Sequence, residues 1–283
     1  MSDEKMSDEK EGIYNYLRTD KKFPPIWCAG CGNGIVMGSM LRAIAAIGLD
    51  KDRVAVVSGI GCSGRTSTYV DFNTLHTTHG RALTFATGLK LARPELTVLV
   101  AMGDGDALAI GGNHFIHAAR RNIDLTAIIF NNFIYGMTGG QISPTTPPGM
   151  IASTASAGNI EPAFDIVKLS EAAGASFVAR GSSFHIAQLN ELMVQAIRKK
   201  GFSVIDVITQ CPPIYGRYNR LGSPAEMLRW QEGQLLDRHE AAGLSEEAVK
   251  GKIFTGVFVD AEKPEYCEEY DRLVARVQGK AGR

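Results

Sequence analysis

Two short polar motifs carry the residue types best suited to binding a metal ion and a phosphate. Gly103-Asp104-Gly105 follows one apolar run of the chain, and Asn131-Asn132 follows the next. The carboxylate of Asp104 and the amide oxygen of Asn132 are hard oxygen ligands, which Mg²⁺ binds together with phosphate oxygens and water. The glycines beside Asp104 let the backbone approach a diphosphate without a Cβ in the way. The two motifs therefore predict a diphosphate that is held through a divalent metal ion.

The surrounding sequence predicts that these motifs meet at one edge of a sheet. Residues 96–102 and 125–130 are apolar runs typical of buried strands, and residues 110–121 between them have helical spacing. Such a unit makes the two strands parallel neighbours, and open α/β sheets bind ligands at the carboxyl ends of their strands. This spacing and context resemble the thiamine-diphosphate motif, although a Gly-Asp-Gly alone is equally an ordinary turn from strand to helix.

The rest of the chain continues the alternation of helices and strands. It predicts helices at 35–47, 80–92, 165–173 and 184–199, and strands at 53–58, 176–179 and 202–208. This pattern indicates an α/β fold with a largely parallel sheet covered on both faces. Residues 131–159 are predicted to form a long loop, and loops of this length are usually functional. We therefore divide the chain into an N-terminal extension (1–22), a binding domain (23–222) and a charged, amphipathic C-terminal arm (223–283) that wraps the domain or a partner subunit.

Composition excludes several classes of function. The chain has 283 residues, of which 45% are hydrophobic and 21% charged, as in ordinary globular proteins. Its 30 basic and 30 acidic residues cancel, which argues against nucleic-acid binding by bulk charge. No apolar run is long enough to span a bilayer. The charged N-terminus lacks the apolar core of a secretory signal, and its duplicated segment 1–10 is predicted to carry no structure. We expect a cytoplasmic protein with reduced thiols.

The cysteines form a second candidate site. Cys28 and Cys31 form a Cys-x-x-Cys pair, Cys62 follows a predicted strand, and Cys211 follows another. Four thiolates gathered at one edge of the sheet can hold a 4Fe–4S cluster or a structural zinc ion. Zinc sites more often pair two Cys-x-x-Cys units, and here there is one; a redox pair and buried apolar thiols are further alternatives. The fifth cysteine, Cys267, lies in a charged stretch and is not assigned as a ligand.

Five motifs in order resemble the β subunits of the 2-oxoacid:ferredoxin oxidoreductases, and most of all those of the 2-oxoglutarate type. They are the segments 27–32 (WCAGCG), 59–64 (GIGCSG), 76–82 (HTTHGRA), 103–106 (GDGD) and 135–146 (YGMTGGQISPTT). The similarity covers residues 24–217, which is most of the chain. It adds a diphosphate-type thiamine-diphosphate-binding fold to the α/β architecture expected from the pattern of helices and strands.

The resemblance implies an enzyme that interconverts a 2-oxoacid (2-oxoglutarate above others) and CoA with acyl-CoA (succinyl-CoA), CO₂ and reduced ferredoxin. Its cofactors are thiamine diphosphate, Mg²⁺ and one 4Fe–4S cluster, which passes electrons to ferredoxin. By matching motifs, the cluster ligands are Cys28, Cys31, Cys62 and Cys211. Mg²⁺ binds Asp104, Asn132 and the backbone carbonyl of Ile134. The diphosphate pocket is shaped by Gly103, Gly105 and Asp106.

Other residues are predicted to take part in the reaction or to close the site. Arg65 suits a substrate carboxylate, because its guanidinium matches that group in a bidentate fork; a surface Arg is the alternative. His76 and His79, in a polar loop before a helix, are candidates for proton transfer or for structural hydrogen bonds. Thr138, Gly139 and Gly140 belong to a loop suited to closing over the diphosphate or a partner subunit.

The expected partner follows from the same resemblance. Thiamine-diphosphate enzymes need a second domain that holds the aminopyrimidine and supplies an activating Glu, and this chain has only the diphosphate-type domain. We therefore expect an αβ unit, and a dimer of such units, with catalysis only in the presence of the α subunit. The alternatives are a subunit of a non-redox thiamine-diphosphate decarboxylase or synthase, and a zinc-stabilised binding module without catalysis.

Overall fold

Ten strands occur in the part of the chain that the computed structural model describes, residues 12–21 and 23–279. The duplicated segment 1–10 lies outside the described residues. The strands are β1 (Val54–Ser58), β2 (Asn73–His76), β3 (Thr97–Gly103), β4 (Thr126–Asn131), β5 (Ile134–Tyr135), β6 (Gln141–Ile142), β7 (Phe177–Ser182), β8 (Ser203–Ile208), β9 (Leu235–Asp237) and β10 (Ile253–Asp260).

Eight of these strands form the central sheet, in the order β2-β1-β3-β4-β8-β7-β10-β9. All pairs from β2 to β7 are parallel. At the far side, β10 runs antiparallel to β7 and β9 pairs with β10. The largely parallel sheet expected from the alternating pattern is therefore confirmed. The remaining strands, β5 and β6, form a small hairpin inside the long loop.

Helices cover both faces of the sheet, and each predicted helix is present with shifted ends. The helix predicted at 110–121 begins at Gly112, because Asp106–Ile110 forms a wider π turn. None of the helices in the described ranges has the length and apolar content needed to cross a bilayer. The α-helices span Asn33–Ile47, Thr66–Tyr69, Ala82–Ala92, Gly112–Arg121, Ile166–Ala172, Ile186–Arg198, Pro224–Gln234, Arg238–Ala241, Glu246–Val249 and Tyr266–Val277.

An apolar core lies on each face of the sheet. Val98, Val100 and Met102 of β3 point into one core, where Phe115 and Phe202 pack edge to face at 5.8 Å. The alternate β3 residues Leu99 and Ala101 point into the other core, against the helices Asn33–Ile47 and Ile186–Arg198. Strands buried on both faces must be apolar throughout, which explains why they are recognisable as continuous apolar runs.

The edge strand β2 was not predicted, and it changes the interpretation of one histidine. Among the described strands Asn73–His76 pairs with β1 alone, and its side chains are largely exposed. Because an edge strand needs no apolar face, its polar sequence resembled a loop. His76 therefore ends a strand, and the prediction that it lies in a loop is wrong; His79 does lie in the loop that follows.

The C-terminal region, as far as the structure describes it (residues 223–279), packs against the same domain. Within it, β10 extends the sheet beyond β7, and the helix Tyr266–Val277 buries Cys267 against one of the two cores. At the other end of the chain, Tyr16 stacks on Phe72 with ring centroids 5.3 Å apart. The division into three regions remains a prediction, since both terminal regions contact the central domain.

A buried ion pair connects β7 and β8 near the carboxyl edge. Arg180 lies 2.6 Å from Asp206 and 2.7 Å from Asp165, and Asp206 is completely buried. Asp206 also accepts a hydrogen bond from the side chain of Asn131, at 3.0 Å. We expect Asp206→Ala to lower the free energy of unfolding by about 3–5 kcal/mol, because Arg180 keeps its charge and loses a buried partner.

Equilibrium denaturation with urea measures this loss. The matched control is Glu268→Ala, which removes a carboxylate that lies 3.7 Å from Arg272 on an exposed helix face. An exposed pair of this kind contributes less than about 1 kcal/mol. Equal losses in the two variants would contradict a structural role for the buried pair.

Candidate active site

A crevice opens at the carboxyl edge of the sheet, between β1 and β3. These strands are neighbours, but the chain leaves β1 toward β2 on one side and leaves β3 toward β4 on the other. Such a divergence leaves a crevice between the two loops, which is where open α/β sheets bind ligands. The cavity there has a volume of about 70 Å³ and is lined by Asn33, Ile60, Gly61, Cys62, Ser63, His79, Gly103, Asp104, Gly105, Asp106, Phe130, Asn132, Ile134, Tyr135, Gly136, Met137 and Thr138.

Asp104 lies at the base of this crevice and is held by two hydroxyl groups. Its Oδ2 accepts hydrogen bonds from Ser143 Oγ at 2.6 Å and Thr145 Oγ1 at 2.5 Å. Burial raises the pKa of Asp104 to about 6, although these hydrogen bonds oppose the rise. A cation bound at this carboxylate would favour its ionised form. The two hydroxyls lie in a motif that the sequence had singled out, but their contact with Asp104 was not predicted.

The second predicted metal ligand is positioned by an unusual turn. Phe133 has φ = 63°, a left-handed conformation that non-glycine residues rarely adopt and that is costly unless its surroundings hold it. Its ring packs on Tyr215 at 5.7 Å, and its carbonyl accepts a hydrogen bond from Thr146 Oγ1 at 2.6 Å. The turn leaves both Asn132 and Ile134 lining the cavity.

Tyr135 is a cavity residue that sequence reasoning missed. Its hydroxyl donates a hydrogen bond to the carbonyl of Gly105 at 2.9 Å. Burial raises the pKa of Tyr135 to about 12, and the nearby carboxylates Asp104 and Asp106 add to the rise. The phenol therefore stays protonated and can donate at neutral pH. The tyrosine belongs to a recognised motif, but only the fold reveals that it returns to the Gly-Asp-Gly turn.

Gly105 is required because Tyr135 occupies the space of a side chain. A Cβ at this position would lie 2.2 Å from Cζ of Tyr135. We expect Gly105→Ala to displace the tyrosine, to destabilise the protein by about 1–3 kcal/mol through overpacking, and to weaken binding in the crevice. Thermal unfolding and cofactor titration measure the two effects. Gly88→Ala is the control, because no atom of the described residues would lie within 4 Å of a Cβ there; the same loss in both variants would contradict the steric explanation.

Asp106 joins two loops and orients His79. Its Oδ1 contacts Nδ1 of His79 and accepts a hydrogen bond from the backbone N–H of Gly80 at 2.7 Å. The ring of His79 meets Tyr135 edge to face, with centroids 6.0 Å apart. Of the three predicted catalytic residues, His79 is the one that lines the cavity.

Arg65 and His76 lie beside the crevice and do not line it. Nδ1 of His76 lies 2.9 Å from Ser58 Oγ. Burial lowers the pKa of His76, and the positive charge of Arg65 lowers it further. Nε of Arg65 is buried and has no hydrogen-bond partner among the described residues. His76 therefore has a structural contact, whereas Arg65 has unused hydrogen-bonding capacity.

The hairpin β5–β6 places the three predicted loop residues differently. Thr138 lines the cavity. Gly139 and Gly140, with φ of 112° and 95°, lie in the connection between the strands. A Cβ on Gly140 would lie 2.6 Å from Ile214 and 2.7 Å from Tyr218, so this glycine allows the hairpin to pack on the segment that follows Cys211.

Hydrogen bonds hold the three cysteine-bearing loops together at the same edge. Nε1 of Trp27 donates to the carbonyl of Cys62 at 2.7 Å, which joins the first and second loops. The side chain of Gln210 donates to the carbonyl of Gly30 at 3.0 Å, and the backbone carbonyl of Gln210 accepts from the backbone N–H of Gly32 at 3.3 Å. The Cys28–Cys31 loop is therefore attached to both the Cys62 loop and the Cys211 loop.

The thiols of these loops are close enough to influence one another. A Cβ on Gly136 would lie 3.4 Å from Sγ of Cys211 and 3.9 Å from Sγ of Cys62. Burial raises the pKa of Cys31 to about 12, and the three other thiols add to the rise. Burial raises the pKa of Cys62 to about 11 in the same way.

No group of three or more His, Cys, Asp or Glu side chains in the described ranges is arranged to hold a single metal ion. The thiolates of a 4Fe–4S cluster bind different irons, so they need not converge on one point. Cys267 is separate from the other four, near Lys90 and Asp124 at the opposite edge of the sheet.

Sequence comparison connects this site with known proteins. The family described as the C-terminal TPP binding domain of thiamine pyrophosphate enzymes matches residues 59–207. The 2-oxoglutarate synthase subunit KorB of Methanothermobacter marburgensis is 50% identical over 275 residues, which are 97% of this chain and 95% of that protein. The corresponding subunit of Archaeoglobus fulgidus is 51% identical over 259 residues, covering 92% of this chain and 93% of its own.

A solved structure is similar over nearly the whole chain. It is the 2-oxoglutarate:ferredoxin oxidoreductase from Magnetococcus marinus with 2-oxoglutarate, coenzyme A and succinyl-CoA bound. The match has a TM-score of 0.84 and 33% sequence identity, and it covers 96% of this chain and 92% of the other.

Proposed function

Because this chain belongs to the family of 2-oxoacid:ferredoxin oxidoreductase β subunits, we propose that it works with an α subunit as a 2-oxoglutarate:ferredoxin oxidoreductase. One 2-oxoglutarate, one CoA and two oxidised ferredoxins are converted to succinyl-CoA, CO₂, two reduced ferredoxins and a proton. The observation that carries the proposal is that Cys62 lines the same cavity as Asp104 and Asn132. A redox centre held by Cys62 is then adjacent to the site of carbon chemistry.

The crevice residues fit Mg²⁺ and a diphosphate. Asp104 and Asn132 offer a carboxylate and an amide oxygen, which are ligands that Mg²⁺ prefers, and Ile134 lines the same cavity. Gly103, Gly105 and Asp106 form the turn beneath them. Thiamine diphosphate, when bound, supplies the nucleophile and electron sink for decarboxylation of a 2-oxoacid. The role of the chain here is to bind and orient the diphosphate end.

The cysteine loops fit a 4Fe–4S cluster. Cys28, Cys31, Cys62 and Cys211 supply four thiolates from loops that hydrogen bonds hold together. Gly136, whose Cβ position lies within 4 Å of two of the sulfurs, leaves space beside them. Such a cluster transfers one electron at a time, which suits an oxidation that delivers its two electrons to ferredoxin.

The remaining polar residues in the crevice and beside it handle protons and charge. Asp106 engages Nδ1 of His79, which leaves Nε2 as the ring nitrogen available for proton exchange. Tyr135 stays a neutral phenol at the same cavity, and its one hydrogen is donated to the carbonyl of Gly105. We assign Arg65 to the carboxylate of the substrate, because its Nε is buried without a partner among the described residues and a carboxylate would satisfy it.

The α subunit completes the site. The crevice is small compared with pockets of about 300–1,000 Å³ that enclose ligands of this size. Apolar side chains beside it are partly exposed, among them Ile60 (39%) and Met137 (45%). A partner that covers these residues would exclude water and supply the missing wall. CoA and ferredoxin then approach the assembled αβ unit.

Anaerobic co-purification with the α subunit tests the proposal. We expect about four irons and one thiamine diphosphate per β chain, and reduction of ferredoxin that requires both CoA and a 2-oxoacid. A panel of 2-oxoacids identifies the substrate, with 2-oxoglutarate expected to give the highest kcat/KM. Thiamine diphosphate without iron would support a non-redox enzyme, and zinc without either would support a binding module.

A further inference from the structure

Asn33 is a buried polar residue of the crevice that has no assigned role. The side chain of Asn33 is 1% exposed, and neither its Oδ1 nor its Nδ2 has a hydrogen-bond partner in the described part of the chain. It lines the cavity together with Asp104 and Asn132. Leaving a buried amide unsatisfied is unfavourable for folding, so such a residue requires an explanation.

The position of Asn33 in the fold favours an anionic ligand. It is the first residue of the helix Asn33–Ile47, whose N-terminus has no side-chain cap and no acidic residue in its first turn. The N-terminus of a helix carries a partial positive charge and attracts phosphates and carboxylates. The unpartnered amide and the helix N-terminus therefore meet at the cavity that holds the proposed diphosphate ligands.

We propose that Asn33 is a ligand-contacting residue that donates a hydrogen bond from Nδ2 to the diphosphate group of the cofactor. This inference rests on the proposed function. It adds a contact from the segment that follows Cys31, so that the cysteine-bearing loop and the Gly-Asp-Gly turn hold the same ligand from two sides. Asn33 lies two residues after the proposed cluster ligand Cys31. One short segment would therefore contact both the cluster and the diphosphate.

Asn33→Leu in the cofactor-free αβ complex tests the contact. Leu has the same branching and the same number of side-chain heavy atoms, and it removes both polar atoms. We expect the Kd for Mg²⁺–thiamine diphosphate to rise about 10-fold, as for one hydrogen bond to a charged group. The midpoint of thermal unfolding of the cofactor-free complex should stay the same or rise, because an unsatisfied amide has been removed. Binding of Mg²⁺ with inorganic diphosphate should weaken similarly.

A charge reversal and a control sharpen the test. Asn33→Asp should weaken binding more than Asn33→Leu does, because it places a carboxylate against the diphosphate. Asn190→Leu is the control: Oδ1 of Asn190 is also buried with no partner among the described residues, but Asn190 does not line the crevice. It should leave the Kd unchanged. If Asn33→Leu prevents assembly, the smaller Asn33→Ser replaces it.

The outcomes separate this inference from the proposed function. A wild-type complex that binds no thiamine diphosphate would overturn both. Normal wild-type binding with an unchanged Kd in Asn33→Leu and Asn33→Asp would overturn the inference alone. Two other results would also overturn the inference alone. One is a fall in the stability of the cofactor-free complex with no change in Kd. The other is an altered electron paramagnetic resonance spectrum of the cluster with unchanged diphosphate binding.

Discussion

Replacing Asp104 by Asn is expected to weaken Mg²⁺-dependent binding of thiamine diphosphate by more than about 100-fold. Loss of a group that only supports a metal ligand typically costs 10–100-fold in affinity, and here the ligand itself loses its charge. The amide is the same size as the carboxylate, so the position can still accept hydrogen bonds from Ser143 and Thr145. Titration of the cofactor-free αβ complex with thiamine diphosphate, with and without Mg²⁺, measures the change.

Two further variants define what that result means. Thr145→Val removes one hydroxyl that lies 2.5 Å from Oδ2 of Asp104, and it should weaken binding by a smaller factor of roughly 10. Asp271→Asn makes the same chemical change on an exposed face of the helix Tyr266–Val277 and should have no effect. Wild-type affinity in Asp104→Asn would refute the assignment of the metal site.

Replacing Cys211 by Ser is expected to reduce the iron content from about four to less than about one per β chain, since a 4Fe–4S cluster needs four thiolates. Reduction of ferredoxin should be lost. Binding of thiamine diphosphate should persist, because Asp104 and Asn132 belong to other loops. Iron and sulfide assays, visible absorbance and cofactor titration on the anaerobically purified complex measure these three properties.

The fifth cysteine supplies a matched control. Cys267 is as buried as Cys211, at 6% against 7% exposure, but lies at the opposite edge of the sheet. Cys267→Ser should therefore keep its iron and its activity. Iron loss in Cys267→Ser, or full iron content in Cys211→Ser, would show that the four ligands have been assigned incorrectly.

Sequence reasoning succeeded where a local pattern has a single structural meaning. The apolar runs before Asp104 and Asn132 are typical of buried strands, and parallel strands place their carboxyl ends side by side. The motifs of Cys62 and Cys211 also follow predicted strands, and the observed sheet brings both to the crevice edge. The edge strand β2 escaped detection because an exposed strand needs no apolar pattern.

The long segment between Asn132 and Asn159 marks the limit of this reasoning. Its length and composition indicated a functional loop, but its sequence has no periodicity that reveals the path of the backbone. Only the folded chain shows that Ser143 and Thr145 return to Asp104, and that the left-handed turn at Phe133 presents Ile134 to the cavity. Polar contacts between distant segments depend on three-dimensional proximity, which periodicity does not encode.

The amino-acid sequence by itself determined the fold class, the family, the metal ligands expected at the ends of β3 and β4, and the four cysteines expected to act together. Residue type and spacing suffice to predict these features, because a buried strand requires apolar residues and a metal site requires specific ligand atoms. The tertiary structure alone decided which of these residues share one cavity. It brought His79 and Tyr135 into the crevice, left His76 outside it, and buried the side chain of Asn33 with no hydrogen-bond partner among the described residues. Burial and hydrogen bonding are properties of the packed chain, so no inspection of single residues reveals them.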